Sequence, residues 1–167
     1  MIRREIPIKN YIKYLMILFI SIISCFILYT IYNNKIKDTP ILRNKVKEID
    51  TNDVDNYITE NESVLLYFGV VNDVYSEKIE KEMIKQMDIE NIDIVYVNIT
   101  DLKNRKNYLE EFSSKYSNNK RIYSYPAFVY IQNKEIIDII EKDDRDMEIS
   151  DVINFIETNE IKGEKNA

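Results

Sequence analysis

The chain has 167 residues, a formal net charge of −6, one Cys, two Gly, and neither His nor Trp. These counts exclude an imidazole base, His-ligated metal sites, an internal disulfide, a Cys-x-x-Cys pair and glycine-rich phosphate loops. The acidic balance also argues against nucleic acid as a partner, because phosphate binding depends on clustered Lys and Arg.

The first predicted element is a single transmembrane helix over residues 14–32, which contain no charged side chain. At about 1.5 Å per residue this segment is about 28 Å long, close to the hydrocarbon thickness of a bilayer. Both flanks are basic, so the positive-inside rule does not orient the helix. We therefore predict a basic segment over 1–13, the transmembrane anchor over 14–32 and a linker over 33–44.

Cys25 ends a sequence, Ile22-Ile23-Ser24-Cys25, that resembles a bacterial lipobox, in which the Cys becomes the lipidated first residue. The residues after it, from Phe26 to Tyr29, stay apolar, whereas a processed lipoprotein usually turns polar there. We expect an uncleaved anchor, and lipidation at Cys25 is the alternative. Residues 1–37 hold six basic residues and one acidic residue, a net of +5, which leaves −11 for the remainder. A basic anchor followed by an acidic body is typical of a single-span protein with a solvated domain.

The soluble domain is predicted over 45–161, with a polar tail over 162–167. Apolar patterning predicts helices capped by Thr51 and by Ser150, with further elements between them. The predicted strands cover 45–49, 63–68, 92–99, 127–132 and 135–140, and the predicted helices cover 52–60, 76–87, 101–116 and a last helix after Ser150. Helices between buried strands indicate a parallel sheet core, to which a hairpin turning at Asn133-Lys134 adds an antiparallel edge.

This element order is that of thioredoxin, and two local features support the likeness. Tyr67-Phe68-Gly69 ends the central strand, and Tyr125-Pro126 directly precedes the hairpin. The chain resembles membrane-anchored thioredoxin-like proteins of Gram-positive bacteria called bacteriocin transport accessory proteins. The resemblance implies an α/β fold, a thioredoxin-like three-layer α/β/α sandwich with a mixed central sheet, here preceded by one N-terminal transmembrane helix.

The resemblance fails at the residues that carry the family's chemistry. The family segment YFGRPTCPYC aligns without a gap with YFGVVNDVYS of this chain, so the degenerate Cys-x-x-Cys positions are Asp73, Val74, Tyr75 and Ser76. Disulfide exchange requires an attacking thiolate, which neither Asp73 nor Ser76 supplies. Cys25 lies in the apolar segment and does not replace the missing pair. We expect a redox-inactive domain that is not an enzyme and needs no cofactor.

Asp73 also has a purely structural interpretation, since a carboxylate at that position would cap the following helix. Tyr67, at a position where thioredoxins place a buried acid two residues before the glycine, is expected to be buried. In the family, the backbone before the cis-proline pairs with an extended peptide, and such main-chain pairing does not need cysteines. Tyr75, Tyr125 and Pro126 are therefore the candidate peptide-binding residues. Tyr123 is a further aromatic contact beside them.

An acidic run near the C-terminus lacks the spacing and the turn glycine of an EF-hand, and we predict a solvated loop and no metal site. It contains Glu141, Asp143, Asp144, Asp146 and Glu148. The functional expectation is a peptide-binding or protein-binding domain at the cell envelope, held by one membrane span with its soluble domain extracytoplasmic, that assists secretion or folding. The alternatives are an oxidoreductase-related protein that uses a partner's cysteine, or a structural subunit of a membrane complex.

Overall fold

The computed structural model describes residues 8–37, 39–142 and 146–161, with side chains not described at 8–10, 33–37 and 90. The chain divides into two compact units, residues 1–38 and 39–167. Three parts of the sequence predictions lie outside the described residues: residues 1–7 of the basic segment, the polar tail over 162–167, and Asp143 and Asp144 of the acidic run.

The first unit contains one long helix, α1, from Ile8 to Lys37. Within it, Tyr11–Tyr32 is the one described stretch long and apolar enough to cross a membrane, a test that a signal sequence near an N-terminus also meets. Thr30 donates its hydroxyl to the carbonyl of Phe26 at 2.8 Å. This bond keeps a polar side chain satisfied in a segment where lipid would offer it no partner.

The second unit contains five strands and four α-helices in the predicted order β-α-β-α-β-α-β-β-α. In chain order they are β1 Lys47–Ile49, α2 Val54–Glu60, β2 Ser63–Gly69, α3 Val74–Gln86, β3 Ile94–Asn98, α4 Arg105–Tyr116, β4 Ala127–Gln132, β5 Glu135–Glu141 and α5 Ile149–Thr158, with a 3₁₀ turn Ile89–Asn91 before β3. The Asn133-Lys134 turn joins β4 to β5, and both of its residues have positive φ.

The strands form one mixed sheet in the order β1-β3-β2-β4-β5. Strand β3 pairs in parallel with β1 and β2, whereas β4 pairs antiparallel with β2 and β5. The predicted mixed sheet is confirmed. Its antiparallel part begins at the centre, because the central strand β2 has a parallel neighbour on one side and an antiparallel neighbour on the other.

Alternate side chains of β2 point to opposite faces of the sheet, as the two-residue period of a strand requires. Leu66 and Phe68 pack in one core with α2 and α4, and Leu65 and Tyr67 pack in the other core with α3 and α5. Two helices therefore cover each face, which gives the predicted thioredoxin-like three-layer α/β/α sandwich. Tyr67 is fully buried, as expected.

Both predicted helix caps in the outer parts of the domain are wrong. Thr51 does not cap α2, since it lies in a turn where the side chain of Asp50 accepts the N–H of Asn52, and the helix begins only after Asp53. Ser150 lies inside α5, which is capped by Glu148 in a reciprocal pair with Asp151. In each case a nearby carboxylate accepts a main-chain N–H in the turn and the helix begins at a different residue from the predicted one.

Leu42, which the sequence prediction places in the linker, is fully buried against the core that contains Tyr67. Helix α4 begins at Arg105 and not at Asp101, because Asn104 caps it by accepting the N–H of Asn107. Ile84, whose spacing from Ile79 and Met83 predicts a place on the apolar face of α3, is exposed. The burial of Leu42 and the exposure of Ile84 depend on tertiary contacts, whereas the start of α4 depends on a local side-chain cap.

Candidate functional site

Asp73 caps α3 at the position where the family resemblance implies a cysteine. Its backbone is extended, and its Oδ2 accepts the N–H groups of Tyr75 at 3.1 Å and Ser76 at 2.9 Å. These are main-chain donors that the first turn of a helix leaves without partners. The structural interpretation of Asp73 is confirmed, and its carboxylate is occupied by the chain itself.

Ser76, at the second degenerate position, is fully buried. Its Oγ accepts the N–H of Val70 at 3.3 Å, in the loop that connects β2 to α3. The hydroxyl therefore joins the loop to the helix from inside the domain. The side chain of Ser76 is therefore not exposed at the surface of the domain.

The Tyr125-Pro126 peptide bond is cis and directly precedes β4. The N–H of Lys142 donates to the carbonyl of Pro126 at 3.0 Å, and the Nζ of the same residue lies 4.2 Å from the centre of the Tyr75 ring. One lysine therefore contacts the proline through its main chain and Tyr75 through its side chain. The fold brings Tyr75, Tyr125 and Pro126 to the same end of the sheet.

Tyr125 has main-chain groups without partners. Its N–H and C=O make no hydrogen bond to another residue in the described part of the chain, and strand pairing starts only at Ala127. The preceding N–H groups, of Tyr123 and Ser124, both donate to Oε2 of Glu141, at 2.7 and 2.8 Å. The loop is thus held by an acid from the end of β5, while the main chain of the half-buried Tyr125 makes no hydrogen bond within the described residues.

Exposed apolar side chains of the second unit concentrate beside this loop. Large apolar side chains that are exposed within the described residues of that unit are Val74, Tyr75, Ile84, Tyr123 and Ile137. Two of the five, Val74 and Tyr75, lie in the degenerate motif, and Tyr123 lies two residues before Tyr125. Val74 is the most open, at 75% exposure. Such a concentration is typical of a surface that contacts a partner.

The side chain of Arg105 contacts the ring of Tyr125. Its guanidinium carbon lies 5.8 Å from the centre of the Tyr125 ring, a cation–π distance. Its Nε donates to the carbonyl of Ile99 at 3.1 Å and its Nη2 to that of Thr100 at 2.5 Å, so the end of β3 fixes the side chain. The sequence prediction did not include Arg105, and nothing in its spacing indicates this position.

A buried polar cluster lies under the degenerate motif. The hydroxyl of Tyr67 donates to Oε1 of Glu80 at 3.1 Å, and the Tyr96 hydroxyl is the one buried side-chain oxygen among the described residues that has no partner. Burial raises the pKa of the Glu80 carboxyl to about 7, against the lowering effect of the Tyr67 hydrogen bond. Burial likewise raises the pKa of Tyr67, and the Glu80 charge adds to the effect.

The sequence prediction missed Glu80, although a signal was present. Buried residues of α3 are Ser76, Ile79, Glu80 and Met83, which follow the i, i+3, i+4, i+7 pattern of a core-facing stripe. A glutamate inside that pattern, three residues before a buried methionine, indicates a buried acid. Glu80 therefore places a buried acid beside Tyr67 of the central strand.

The acidic run and Cys25 are the two remaining features singled out in the sequence. In the acidic run, Asp146 pairs with Lys78 at 2.9 Å on the surface, and Glu141 holds the loop as described above. Among the described residues, no three or more His, Cys, Asp or Glu side chains are grouped to hold a metal ion. Cys25 is a free, exposed cysteine of α1.

No protein-family model matches the chain, and a search of curated proteins found no match. Solved structures similar to it include thioredoxin f2 of Chlamydomonas reinhardtii, at 17% identity and TM-score 0.49 over 68% of this chain and 95% of that one. Thioredoxin of Fasciola hepatica is similar at 16% identity and TM-score 0.45 over 68% and 98%. The thioredoxin of Schistosoma mansoni is similar at 22% identity and TM-score 0.44 over 68% and 96%.

Proposed function

We propose that this chain is a redox-inactive, membrane-tethered thioredoxin-like protein that binds an extended segment of a peptide or protein beside Tyr125-Pro126. The observation that carries the proposal is the unpaired main chain of Tyr125, next to a motif whose Asp73 and Ser76 are occupied in structural hydrogen bonds. Main-chain groups that face solvent without a protein partner offer an extended ligand the hydrogen bonds of an added strand.

The exposed side chains around Tyr125 supply the second part of the proposed surface. Val74, Tyr75 and Tyr123 are apolar or amphipathic, and tyrosine gives a large contact area at a low cost in conformational entropy. Main-chain pairing would position the ligand, and these side chains would contribute most of the buried area. The ligand class is therefore an extended chain and not a small polar molecule.

The location and the biological setting follow from the resemblance. Helix α1 would anchor the chain in the cell membrane of a Gram-positive bacterium, with the soluble domain on the extracytoplasmic side. There the protein would assist a secreted peptide, as the resemblance to bacteriocin transport accessory proteins implies. The buried Ser76 and the capped Asp73 favour this binding function over an oxidoreductase that uses a partner's cysteine.

A test of the redox part uses the full chain in nanodiscs, with its Cys25→Ser variant as the thiol-free comparison. Both should reduce insulin no faster than the blank, because Asp73 and Ser76 supply no thiolate. The double change Asp73→Cys with Ser76→Cys, made in the Cys25→Ser variant, introduces two thiols beside Pro126 and should give measurable turnover. The single change Asp73→Cys in that variant should not turn over, because no second thiol resolves a mixed disulfide. Turnover in the unchanged chain contradicts the redox-inactive proposal, and no turnover in the double variant contradicts the placement of the two side chains beside Pro126.

A test of the binding part measures the anisotropy of a labelled extended peptide titrated with the full chain. Tyr75→Ala and Tyr125→Ala should each weaken binding by about tenfold, the usual cost of truncating an aromatic contact. Ile84→Ala is the matched control, because Ile84 is also an exposed apolar residue of α3 but lies about 13 Å further along the helix. Equal affinities for all three variants and the parent would place the binding surface elsewhere.

A further inference from the structure

The guanidinium of Arg105 is held in place by hydrogen bonds, but its charge is not paired with a carboxylate of the described residues. Two of the five N–H groups of an arginine are engaged here, both with carbonyl oxygens at the end of β3. No carboxylate within the described residues pairs with it, although the soluble part of the chain carries a net charge of −11. An ordered guanidinium that leaves several donors open is suited to binding a carboxylate from outside.

The acids nearest the Tyr125 loop are already occupied by main-chain donors. Glu141 accepts the N–H groups of Tyr123 and Ser124 through one oxygen, and Asp73 accepts those of Tyr75 and Ser76 through one oxygen. Each carboxylate keeps its charge, but two backbone N–H groups already occupy one of its oxygens. The cations beside the loop are Lys142, whose Nζ lies over the Tyr75 ring, and Arg105, whose guanidinium lies beside Tyr125 itself. Charges more than about 8 Å away are largely screened at physiological salt, so the local charge for a ligand paired with Tyr125 is that of Arg105.

The position of Arg105 sets where a ligand would have to carry its charge. The guanidinium carbon is 5.8 Å from the centre of the Tyr125 ring, so the charge lies beside the side chain of the residue whose main chain is unpaired. An extended peptide advances about 3.3 Å per residue. A carboxylate on the residue that pairs with Tyr125, or one or two residues along, would reach the open N–H groups.

We propose that Arg105 selects extended segments that carry a carboxylate close to the residue paired with Tyr125, so that the ligand class is an acidic peptide. This inference rests on the proposed function, because it specifies the chemistry of the same peptide site. It runs against the expectation from net charge, since an acidic domain attracts basic peptides at long range. A preference for acid therefore has to come from a local contact.

The test uses the full chain in nanodiscs of phosphatidylcholine, which has no net charge, with empty nanodiscs as the blank. Three labelled peptides differ only in charge: Gly-Ser-Val-Asp-Thr-Asp-Val-Ser-Gly and its counterparts with Asn or Lys in place of both Asp residues. At 0.15 M salt the Asp peptide should bind about tenfold more tightly than the Asn peptide, the size of one charge-assisted hydrogen-bonded pair. The Lys peptide should bind most weakly.

Three variants test whether the preference for the Asp peptide comes from the side chain of Arg105. Arg105→Gln should reduce the ratio of the affinities for the Asp and Asn peptides to about one. Arg105→Lys should retain part of this ratio, because lysine keeps the positive charge but cannot form the bidentate hydrogen bonds of a guanidinium. Lys106→Gln is the matched control: it removes a neighbouring exposed cation of α4 and should leave the ratio unchanged. The melting temperature of each variant shows whether loss of the hydrogen bonds to the carbonyls of Ile99 and Thr100 destabilises the domain.

The outcomes separate the two proposals. If the three peptides bind equally well, the proposed function stands and the selection of acids is wrong. If the Lys peptide binds most tightly, or if Lys106→Gln abolishes the preference as fully as Arg105→Gln does, the assignment to Arg105 is wrong. If none of the three peptides binds, the peptide site itself is contradicted, and the inference about Arg105 falls with it.

Discussion

Asp73 has a measurable effect on stability through its two hydrogen bonds to the first turn of α3. Asp73→Ala should lower the free energy of unfolding by about 1 kcal/mol, the usual cost of losing a helix cap. Asp53→Ala is the matched control, since Asp53 occupies the same position before α2 but its side chain makes no capping bond. Urea denaturation of the two variants measures the difference. Equal losses would show that the Asp73 carboxylate does not act as a cap.

Glu80 should make the stability of the domain depend on pH. Its carboxyl pKa is about 7 in the folded protein, above the ordinary value near 4.3, so folding favours the protonated form. The resulting stability is fully present below pH 4 and is lost as the pH rises through 7. The size of this loss is about 3 kcal/mol for a shift of this magnitude.

Glu80→Gln tests this dependence, because the amide keeps an oxygen for the Tyr67 hydroxyl and carries no charge. Thermal unfolding between pH 5 and pH 8 should show a falling melting temperature in the parent and a flatter profile in the variant. Glu110→Gln, an exposed change on α4, should leave the parent profile unaltered. A slope that persists in Glu80→Gln would assign the titration to another group.

At the scale of elements, the β4–β5 hairpin contains an uncommon strain. Asn133 has φ of 53° and Lys134 has φ of 65°, as in a two-residue turn that favours glycine at the second position. A lysine in this left-handed conformation costs energy that glycine does not. Lys134→Gly should raise the free energy of unfolding by about 0.5–1 kcal/mol.

The next residue along the chain provides the control for this hairpin. Glu135 begins β5 and has an extended backbone, where glycine has no conformational advantage and a larger entropic cost. Glu135→Gly should therefore lower the stability, while Lys134→Gly raises it. Chemical denaturation of both variants gives the two signs, and the same sign for both would argue against left-handed strain at 134.

Sequence patterns predicted the elements well and their ends less well. The apolar run of β2 and the stripe of α3 depend on local periods, which survive in any fold that buries those faces. The caps at Thr51 and Ser150 were wrong because a serine or threonine competes with nearby carboxylates, here Asp50 and Glu148, that the pattern alone does not rank. Which side chain accepts the N–H groups depends on the backbone conformation of the turn before the helix.

The residues of the candidate site were also only partly predictable from the sequence. Asp73, Ser76 and Tyr125-Pro126 were found from a resemblance in the sequence, since the first two follow a recognisable strand and the dipeptide directly precedes one. Arg105 and Lys142 were not, because each contacts a tyrosine distant in sequence, and such contacts are fixed only when the sheet has brought the loops together. The spacing of residues in the sequence does not indicate which Lys or Arg side chain will contact which aromatic ring.

At the scale of the whole molecule, α1 should hold the chain in a membrane. Arginine at the centre of a spanning helix costs about 2.5–3.5 kcal/mol on an insertion scale. Ile20→Arg with Ile23→Arg should therefore release much of the protein in an alkaline carbonate wash that leaves the parent in the membrane pellet. Tyr11→Arg with Tyr32→Arg is the control, because arginines at the helix ends reach the interface.

The same sample distinguishes an anchor from a processed leader. We expect the intact mass of the full chain, with residues 1–32 retained. A mature protein beginning at Cys25 and carrying a diacylglycerol would contradict the uncleaved anchor and favour the lipoprotein alternative. A soluble protein that lacks the helix altogether would identify α1 as a signal sequence.

Gly69, at the end of the central strand, has a consequence for how this protein can vary. A Cβ built on it would lie 2.8 Å from Cε2 and 2.9 Å from the hydroxyl of the buried Tyr96. A methyl group at 69 on β2 would therefore meet both Tyr96 and Tyr67, whose Cε1 would lie 3.0 Å away. A side chain at 69 requires these rings to shift or to be replaced by smaller side chains, so homologous chains with a larger residue at 69 should carry smaller residues at 96 or 67.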